Sequence, residues 1–264
     1  MPVDLVSVLT KRPGVGKICM LTAYDYPSAV LLEKAGIDII LVGDSLANVV
    51  LGLESTTQVG MDVMLHHTRA VLRGVKHTPV VGDMPFEAYQ PLGADPLKHA
   101  KAFMEAGCVA VKIEWFDRCL AVAEVLVKAG VPVIGHVGLT PQTVDLIGGF
   151  KVQGRDGASG RRIVDQSKAL EQVGCVALVL ECVPEGLAQE VTQELKIPTI
   201  GIGAGRYCDG QVLVFHDLLG LYDRKSPKFV KRYSDIGQAV IDAAAAYKKD
   251  VSEGRFPDAE HSFQ

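Results

Sequence analysis

The sequence has no apolar run long enough to cross a membrane and no apolar leader segment at its start. A membrane-spanning helix needs about 20 consecutive apolar residues, and the apolar runs of this chain are far shorter. The opening segment MPVDLVSVLTKRPGVGK contains an acid and few arginines, which argues against a transit peptide. We therefore expect a soluble, cytoplasmic protein that has no membrane partner.

The chain also lacks paired cysteine motifs and an excess of positive charge. Its six cysteines form no CxxC pair, and several lie in apolar runs, where cysteine behaves as a small buried hydrophobe. A reduced chain without disulfides is expected. The net charge is −4 and the pI is near 6.0, whereas nucleic-acid-binding domains usually have a pI above about 9. The composition therefore predicts no nucleic-acid partner.

What the sequence does contain is a regular alternation of short apolar runs and longer amphipathic stretches. Eight runs are rich in Val and Ile and do not alternate with polar residues, which is typical of strands buried on both faces of a parallel sheet. The predicted strands are Ile18–Ala23, Asp38–Asp44, Pro79–Asp83, Cys108–Glu114, Val131–Val137, Cys175–Cys182, Ile197–Ala204 and Leu213–Leu219.

Helical patterns between these runs end at a glycine, which takes the left-handed conformation at a helix end at little cost. The predicted helices are Tyr26–Ala35, Leu97–Ala106, Cys119–Ala129 and Arg162–Val173. Helix, glycine and strand in this order are typical of βα units. Eight units without a dividing linker predict a single (β/α)8 TIM-barrel domain over residues 1–264, with a doubly wound open sheet as the alternative. Two long segments, 138–160 and 222–234, are predicted lids or binding loops.

Four of the predicted strands end in a carboxylate. Asp44, Asp83, Glu114 and Glu181 close the runs LVGDS, VVGDMP, AVKIE and LVLEC. The carboxyl ends of parallel barrel strands meet at one rim, where the active sites of barrels lie. Each acid alone also has a structural interpretation, as a helix cap, a turn residue or an ion-pair partner.

Taken together, four acids at one partly buried rim would repel one another, and a divalent cation would relieve that repulsion. Oxygen ligands without a neighbouring Cys–His set favour magnesium over zinc. Magnesium takes few protein carboxylates, so an acid that it does not bind remains available as a base.

Two further residues are candidates for the same rim. Lys112 stands two residues before Glu114 and shares its face of the strand, so it either binds a substrate carboxylate or pairs with an acid. His136, at the end of the fifth predicted strand, either donates to a substrate oxygen or is a core histidine. The glycine cluster GIGAG at 201–205 lacks a phosphate-binding Lys-Ser/Thr and allows close backbone approach.

With these residues identified, the sequence resembles the ketopantoate hydroxymethyltransferase family over nearly its whole length. Any one matching motif is weak, but so many in order are specific. They are TAYDYPSA (Thr22–Ala29), LVGDSLANVVLG (Leu41–Gly52), GDMPFEAY (Gly82–Tyr89), VKIE (Val111–Glu114), GHVGLTPQ (Gly135–Gln142), GGFKVQGR (Gly148–Arg155), LVLECVP (Leu178–Pro184), IPTIGIGAG (Ile197–Gly205), DGQVLVFHDLLG and the C-terminal EHSF.

The resemblance implies a barrel related to phosphoenolpyruvate mutase and isocitrate lyase, one Mg2+ per subunit and a homo-oligomer, typically a decamer. It implies transfer of a hydroxymethyl group from 5,10-methylenetetrahydrofolate to 3-methyl-2-oxobutanoate through a magnesium-stabilised enolate. The implied metal ligands are Asp44, Asp83 and Glu114, the last directly or through water. The implied contacts to the keto acid come from Asp44, Ser45, Asp83, Lys112 and His136, and the implied proton acceptor is Glu181.

The chain departs from the family pattern after KIE, where Trp115 and Phe116 replace small residues. This departure leaves the shape of the fourth βα loop open. The alternative function is another magnesium-dependent keto-acid lyase or mutase of the same barrel group. An isocitrate lyase would need a KKCGH-type loop, which the sequence lacks. A binding module without catalysis would have no reason to carry four acids at strand ends.

Overall fold

A computed structural model describes residues 5–9, 16–222 and 227–263 of the chain. Eight parallel strands form a closed barrel in which sequence order is also the order around the barrel. The strands are β1 (Ile18–Thr22), β2 (Ile39–Val42), β3 (Val80–Asp83), β4 (Ala110–Glu114), β5 (Val133–Gly138), β6 (Ala177–Glu181), β7 (Thr199–Ile202) and β8 (Gly210–Leu213). The predicted (β/α)8 barrel is confirmed, and the open-sheet alternative is wrong.

Helices connect most of these strands along the chain. They are α1 (Leu5–Leu9), α2 (Tyr26–Lys34), α3 (Leu46–Val49), α4 (Met61–Gly74), α5 (Phe86–Tyr89), α6 (Pro96–Ala106), α7 (Cys119–Lys128), α8 (Gly157–Val173), α9 (Glu185–Glu194), α10 (Phe215–Leu219) and α11 (Ile236–Ser252). None of the helices in the described ranges is long and apolar enough to cross a membrane.

The predicted helix ends are confirmed at all four glycines. Gly36, Gly107, Gly130 and Gly174 have positive φ angles of 75°, 117°, 78° and 104°, which an L-residue would adopt only under strain. The start of α8 differs from the prediction, because the helix begins at Gly157 and not at Arg162. The Asp156 carboxylate accepts hydrogen bonds from the first free N–H groups and so caps the helix there.

The eighth strand was placed wrongly. Strand β8 is Gly210–Leu213, and most of the predicted run Leu213–Leu219 belongs to the short helix α10. An apolar run alone does not separate a strand from a helix. Gly210 allows the strand to lie beside β1, because a Cβ at this position would come within 2.6 Å of the Ile18 carbonyl oxygen.

The barrel interior is a continuous apolar core. Met20, Leu41, Val81 and Ile134 from four different strands belong to one cluster of buried residues. Helix α1 contributes Leu5 and Leu9 to the same cluster. Because the interior is filled by side chains, a ligand is left only the loops at the strand ends.

The chain divides into two compact units, residues 1–214 and 215–264. The first unit contains all eight strands. The second contains α10 and α11, and neither helix has a buried residue. The single domain over 1–264 is untested and stays a prediction. The predicted binding loop 222–234 lies partly outside the described residues.

The close contact at Gly210 gives a test of barrel closure. We expect Gly210→Ala to lower the free energy of unfolding by about 1–3 kcal/mol, since the added methyl group must displace the β1 backbone. Gly157→Ala is the control, because nothing lies within 4 Å of a Cβ built there. Urea denaturation followed by circular dichroism measures both variants, and equal stabilities would contradict this account of β8.

Candidate active site

The strand register brings the predicted polar residues together at the carboxyl end of the barrel. Asp83 on β3 pairs with Lys112 on β4, Glu114 pairs with His136 on β5, and Gly138 pairs with Glu181 on β6. Asp44 follows β2, next to β3 along the barrel. The prediction that these acids converge at one rim is therefore confirmed for their positions, and their chemical roles stay predictions.

Lys112 stands at the centre of the cluster. Its Nζ lies 2.8 Å from Asp83 Oδ1 and 3.6 Å from Glu114 Oε1, and all three side chains are buried. Burial alone would lower the pKa of Lys112, but the charges of Asp83 and Glu114 raise it above its usual value. The lysine is therefore a permanent cation. The ion pair with an acid, which was the structural interpretation of Lys112, is present.

His136 lies between two glutamates. Its Nδ1 is 3.5 Å from Glu114 Oε1 and its Nε2 is 3.3 Å from Glu181 Oε2. Burial and the nearby Lys112 lower the pKa of His136, but the two glutamates outweigh them and raise it to about 9. His136 is therefore an imidazolium near neutral pH, and it orients Glu181, whose side chain is 16% exposed.

The carboxyl groups of Asp44, Asp83 and Glu114 are all buried but differ in their surroundings. Burial and the charges of the other two acids raise the pKa of Asp44 well above its usual value. Burial also raises the pKa of Asp83, although Lys112 opposes it. At Glu114, Lys112 and the His136 hydrogen bond outweigh burial and lower the pKa. Lys112 therefore neutralises part of this cluster, and Asp44 is the acid with least compensation.

Gln142 closes the motif GHVGLTPQ and had no predicted role. Its Nε2 donates hydrogen bonds to Asp44 Oδ2 at 2.8 Å and to the Met84 carbonyl oxygen at 3.0 Å. Its backbone N–H donates to Glu114 Oε2 at 2.9 Å. One residue therefore fixes carboxylates from two strands that are not neighbours.

The orientation of the Gln142 amide is itself fixed. Its Oε1 accepts hydrogen bonds from Tyr89 Oη at 2.6 Å and from Gln90 Nε2 at 2.9 Å. Tyr89 Oη also accepts from the Glu114 backbone N–H at 2.9 Å. All four residues are buried. Tyr89 lies on the four-residue helix α5 and Gln142 on the short 3-10 helix Pro141–Thr143. Segments this short show no periodicity, and the motifs FEAY and GLTPQ were the only signals for these residues.

Ser45 lies at the edge of this cluster. It follows Asp44 directly, and its Oγ is 2.8 Å from Tyr24 Oη. The structural interpretation of Asp44 as a helix cap is wrong. The residue at the N-terminal cap of α3 is Ser45, and no side chain caps this helix by a hydrogen bond. Ser45 as a whole is half-buried.

The donor set fits a hard divalent cation. Asp44 and Asp83 are linked by a hydrogen bond of 3.0 Å from the Asp44 N–H to Asp83 Oδ2, and Asp44 is an incompletely compensated buried acid. Over the described residues, no three His, Cys, Asp or Glu side chains form a group that could hold a metal ion. Magnesium often uses only one or two carboxylates and takes its other ligands from water and substrate, so Asp44 and Asp83 would suffice.

The glycine cluster at 201–205 serves packing. A Cβ at Gly201 would come within 3.0 Å of Cys208 Sγ, and a Cβ at Gly205 would come within 2.5 Å of the Glu185 side chain. Gly205 also has a positive φ of 78°. These contacts are with side chains of the protein, one of them on α9, and they support tight packing as the reason for the glycines.

This parallel (β/α)8 barrel carries buried acids, a lysine and a histidine at its carboxyl rim, where the active sites of barrel enzymes lie. The family model for ketopantoate hydroxymethyltransferase matches residues 5–259, and the chain belongs to that family. The predicted family, and with it an enzyme of the hydroxymethyltransferase class, is confirmed.

Individual relatives agree with this assignment. A 3-methyl-2-oxobutanoate hydroxymethyltransferase of Carboxydothermus hydrogenoformans is 52% identical over 98% of this chain and 94% of its own length. One from Nitratidesulfovibrio vulgaris is 54% identical over 97% of this chain and 83% of its own. Among solved structures, 2,3-dimethylmalate lyase, a PEP mutase/isocitrate lyase superfamily member, aligns with a TM-score of 0.61 and 17% identity over 94% of this chain and 87% of its own. This likeness shows the fold alone, and it agrees with the predicted barrel.

Gln142 provides a test of the hydrogen-bond network. We expect Gln142→Ala to lower the free energy of unfolding by about 2 kcal/mol or more, because it leaves several buried polar groups without partners. Gln238→Ala, which removes an exposed bond to Asp242 on α11, should change stability by less than about 0.5 kcal/mol. Chemical denaturation measures the free energy of unfolding of both variants. Similar losses of stability in the two would refute the role given to Gln142.

Proposed function

We propose that this chain transfers a hydroxymethyl group from 5,10-methylenetetrahydrofolate to 3-methyl-2-oxobutanoate and gives 2-dehydropantoate, a step towards pantothenate and coenzyme A. The observation that carries the proposal is the buried group Asp44, Asp83, Lys112 and Glu114 with the less buried Glu181 beside it, in a chain of this family. The keto acid and the reaction are those in the names of the relatives.

Mg2+ is the proposed cofactor, held directly by Asp44 and Asp83, with Glu114 as a third ligand through water. When bound, the ion would polarise the keto carbonyl and so make the C3 proton of the substrate more acidic. The excess of buried acids over fixed cations supports this proposal, since a further positive charge would stabilise Asp44 in its ionised form.

Lys112 and Ser45 are proposed to bind the substrate carboxylate. Lys112 offers a permanent ammonium among acids, and Ser45 offers a hydroxyl that shares a hydrogen bond with Tyr24. Neither role needs a covalent bond to the substrate, and a lysine with a raised pKa is a poor nucleophile for an imine. His136 is proposed to contact a substrate oxygen through the same imidazolium that holds the glutamates.

Glu181 is proposed to accept the C3 proton. It is the least buried acid of the cluster, and His136 Nε2, 3.3 Å from its Oε2, keeps the carboxylate oriented. The C3–H bond breaks and C3 forms a bond to the methylene carbon of the donor. The bonds from that carbon to the folate nitrogens break, tetrahydrofolate leaves, and one water molecule supplies the hydroxyl oxygen.

The test of the proposed function is proton NMR of 3-methyl-2-oxobutanoate with the protein and magnesium in D2O, with and without the folate donor. Metal-dependent loss of the C3 proton signal, followed by a hydroxymethyl signal once the donor is added, supports the proposal. Exchange of the C3 proton without a hydroxymethyl product would overturn the folate as the one-carbon donor. If neither occurs in metal-loaded protein, the keto acid is the wrong substrate, and a lyase or mutase of this barrel group becomes the better hypothesis.

Glu181→Gln should keep the fold and magnesium binding but slow C3 exchange by about 10²–10⁴-fold, the usual contribution of a positioned base. Glu185→Gln is the control, because Glu185 is a nearby exposed acid that pairs with Arg206. The same D2O experiment measures both variants. Near-normal exchange in Glu181→Gln would remove Glu181 from the role of base.

Asp44→Ala and Asp83→Ala should each weaken magnesium-dependent binding of the keto acid by at least about tenfold, since each removes one of two direct carboxylate ligands. Asp62→Ala on the exposed side of α4 should leave binding unchanged. Titration calorimetry with and without magnesium measures this, and unchanged titrations would refute the ligand assignment.

The homo-oligomer, a decamer, and the cytoplasmic location stay predictions.

A further inference from the structure

A cavity of about 590 Å³ lies outside the carboxylate cluster, between the loops after β3, β4 and β5. Its volume is within the range of about 300–1,000 Å³ that is usual for small-molecule sites. Its wall includes Phe86 and Gln90 from the first loop, Trp115 and Phe116 from the second, and Thr140 from the third. The reaction steps proposed above use none of these residues.

The aromatic part of the wall is held in place by the active-site network. Phe116 packs edge-on against Tyr89, with the ring centres 5.4 Å apart, and Tyr89 bonds both Gln142 and the Glu114 backbone. Arg118 donates hydrogen bonds to the carbonyl oxygens of Gln90 and Pro91 and so joins two of the loops. The Phe116 ring is therefore held against the active-site network, and this part of the wall suits a flat ring.

The cavity also reaches the reactive end of the cluster. Trp115 follows Glu114 directly, and its backbone N–H donates to the His136 carbonyl oxygen at 2.9 Å. Gly138 lines the cavity and is the strand partner of Glu181. Gly138 has no side chain. The cavity and the Glu181 backbone are therefore not separated by a side chain at position 138.

The charged residues of the cavity are two arginines, Arg118 and Arg162, and one acid, Asp117. Arg162 is exposed, in the first turns of α8. A ligand that combines a flat aromatic ring with an anionic tail matches this wall, since the ring would lie on the aromatic side chains and the tail near a cation.

We propose that this cavity binds the folate donor, with its pteridine ring against Trp115 and its glutamate tail near Arg162. The assignment rests on the proposed function, which supplies the folate. It gives Trp115 and Phe116, the departure from the family pattern, a role in donor binding. It also delivers the one-carbon unit to the side of the cluster where Glu181 stands.

The test is calorimetric titration of the metal-loaded protein with tetrahydrofolate, together with C3 exchange of the keto acid measured without folate. Trp115→Ala should weaken tetrahydrofolate binding by about tenfold or more, as expected for loss of one aromatic stacking partner. Trp115→Phe should retain binding within about threefold. Both variants should exchange C3 at the wild-type rate, which shows that they fold and keep the cluster.

Tyr207→Ala is the control for Trp115→Ala. It removes an exposed aromatic side chain after β7, on a different loop of the barrel, and this variant should bind tetrahydrofolate like the wild type. Arg162→Ala should weaken binding by about two- to fivefold, the usual effect of an exposed charge pair, whereas its exposed neighbour Arg161 does not line the cavity and Arg161→Ala should have no effect.

The outcomes separate the cavity from the proposed function. Wild-type binding by Trp115→Ala overturns the cavity assignment and leaves the reaction intact. Exchange of C3 in a wild-type protein that does not bind tetrahydrofolate overturns both the donor and the cavity. Binding that depends on Trp115 in a protein that never exchanges C3 supports the cavity and overturns the keto-acid substrate.

Discussion

The contact on which the site depends is that of Lys112 with the buried acids of β3 and β4. Each lone buried carboxylate costs several kcal/mol, and Lys112 offsets part of that cost through Asp83 and Glu114. The lysine can do so because barrel closure sets β4 beside β3 in the register that pairs Asp83 with Lys112. Asp44 is the acid with least compensation, since the Gln142 amide is its hydrogen-bond donor and burial still raises its pKa.

The polar residues at the rim divide into a rigid part and an accessible part. Gln142 and Tyr89 lock Asp44 and Glu114 through short buried hydrogen bonds, which suits residues that must hold a fixed geometry. Glu181 is partly exposed and is held by His136, which suits the proposed role of a base that takes a substrate proton. The rigid part and the accessible part meet at β5, because His136 contacts glutamates on both sides.

The opposite end of the barrel uses carboxylates for a different purpose. Glu33 Oε1 accepts hydrogen bonds from the backbone N–H groups of residues 76–78, just before β3. Burial opposes it, but these hydrogen bonds lower the pKa of Glu33. Glu171 does the same for two N–H groups before β7. Acids at the amino ends of the strands thus fix loops, whereas acids at the carboxyl ends gather around Lys112.

The sequence by itself determined the barrel, most strand positions, the glycine-capped helix ends and the convergence of Asp44, Asp83, Glu114 and Glu181, because buried parallel strands and helix caps leave local patterns. It did not determine where β8 ends and α10 begins, since an apolar run has no period that separates the two. Only the tertiary structure decided that Gln142 links Asp44 to Glu114 and that Trp115 lines a cavity. Those contacts join residues far apart in the chain, and no local pattern records a partner across the barrel.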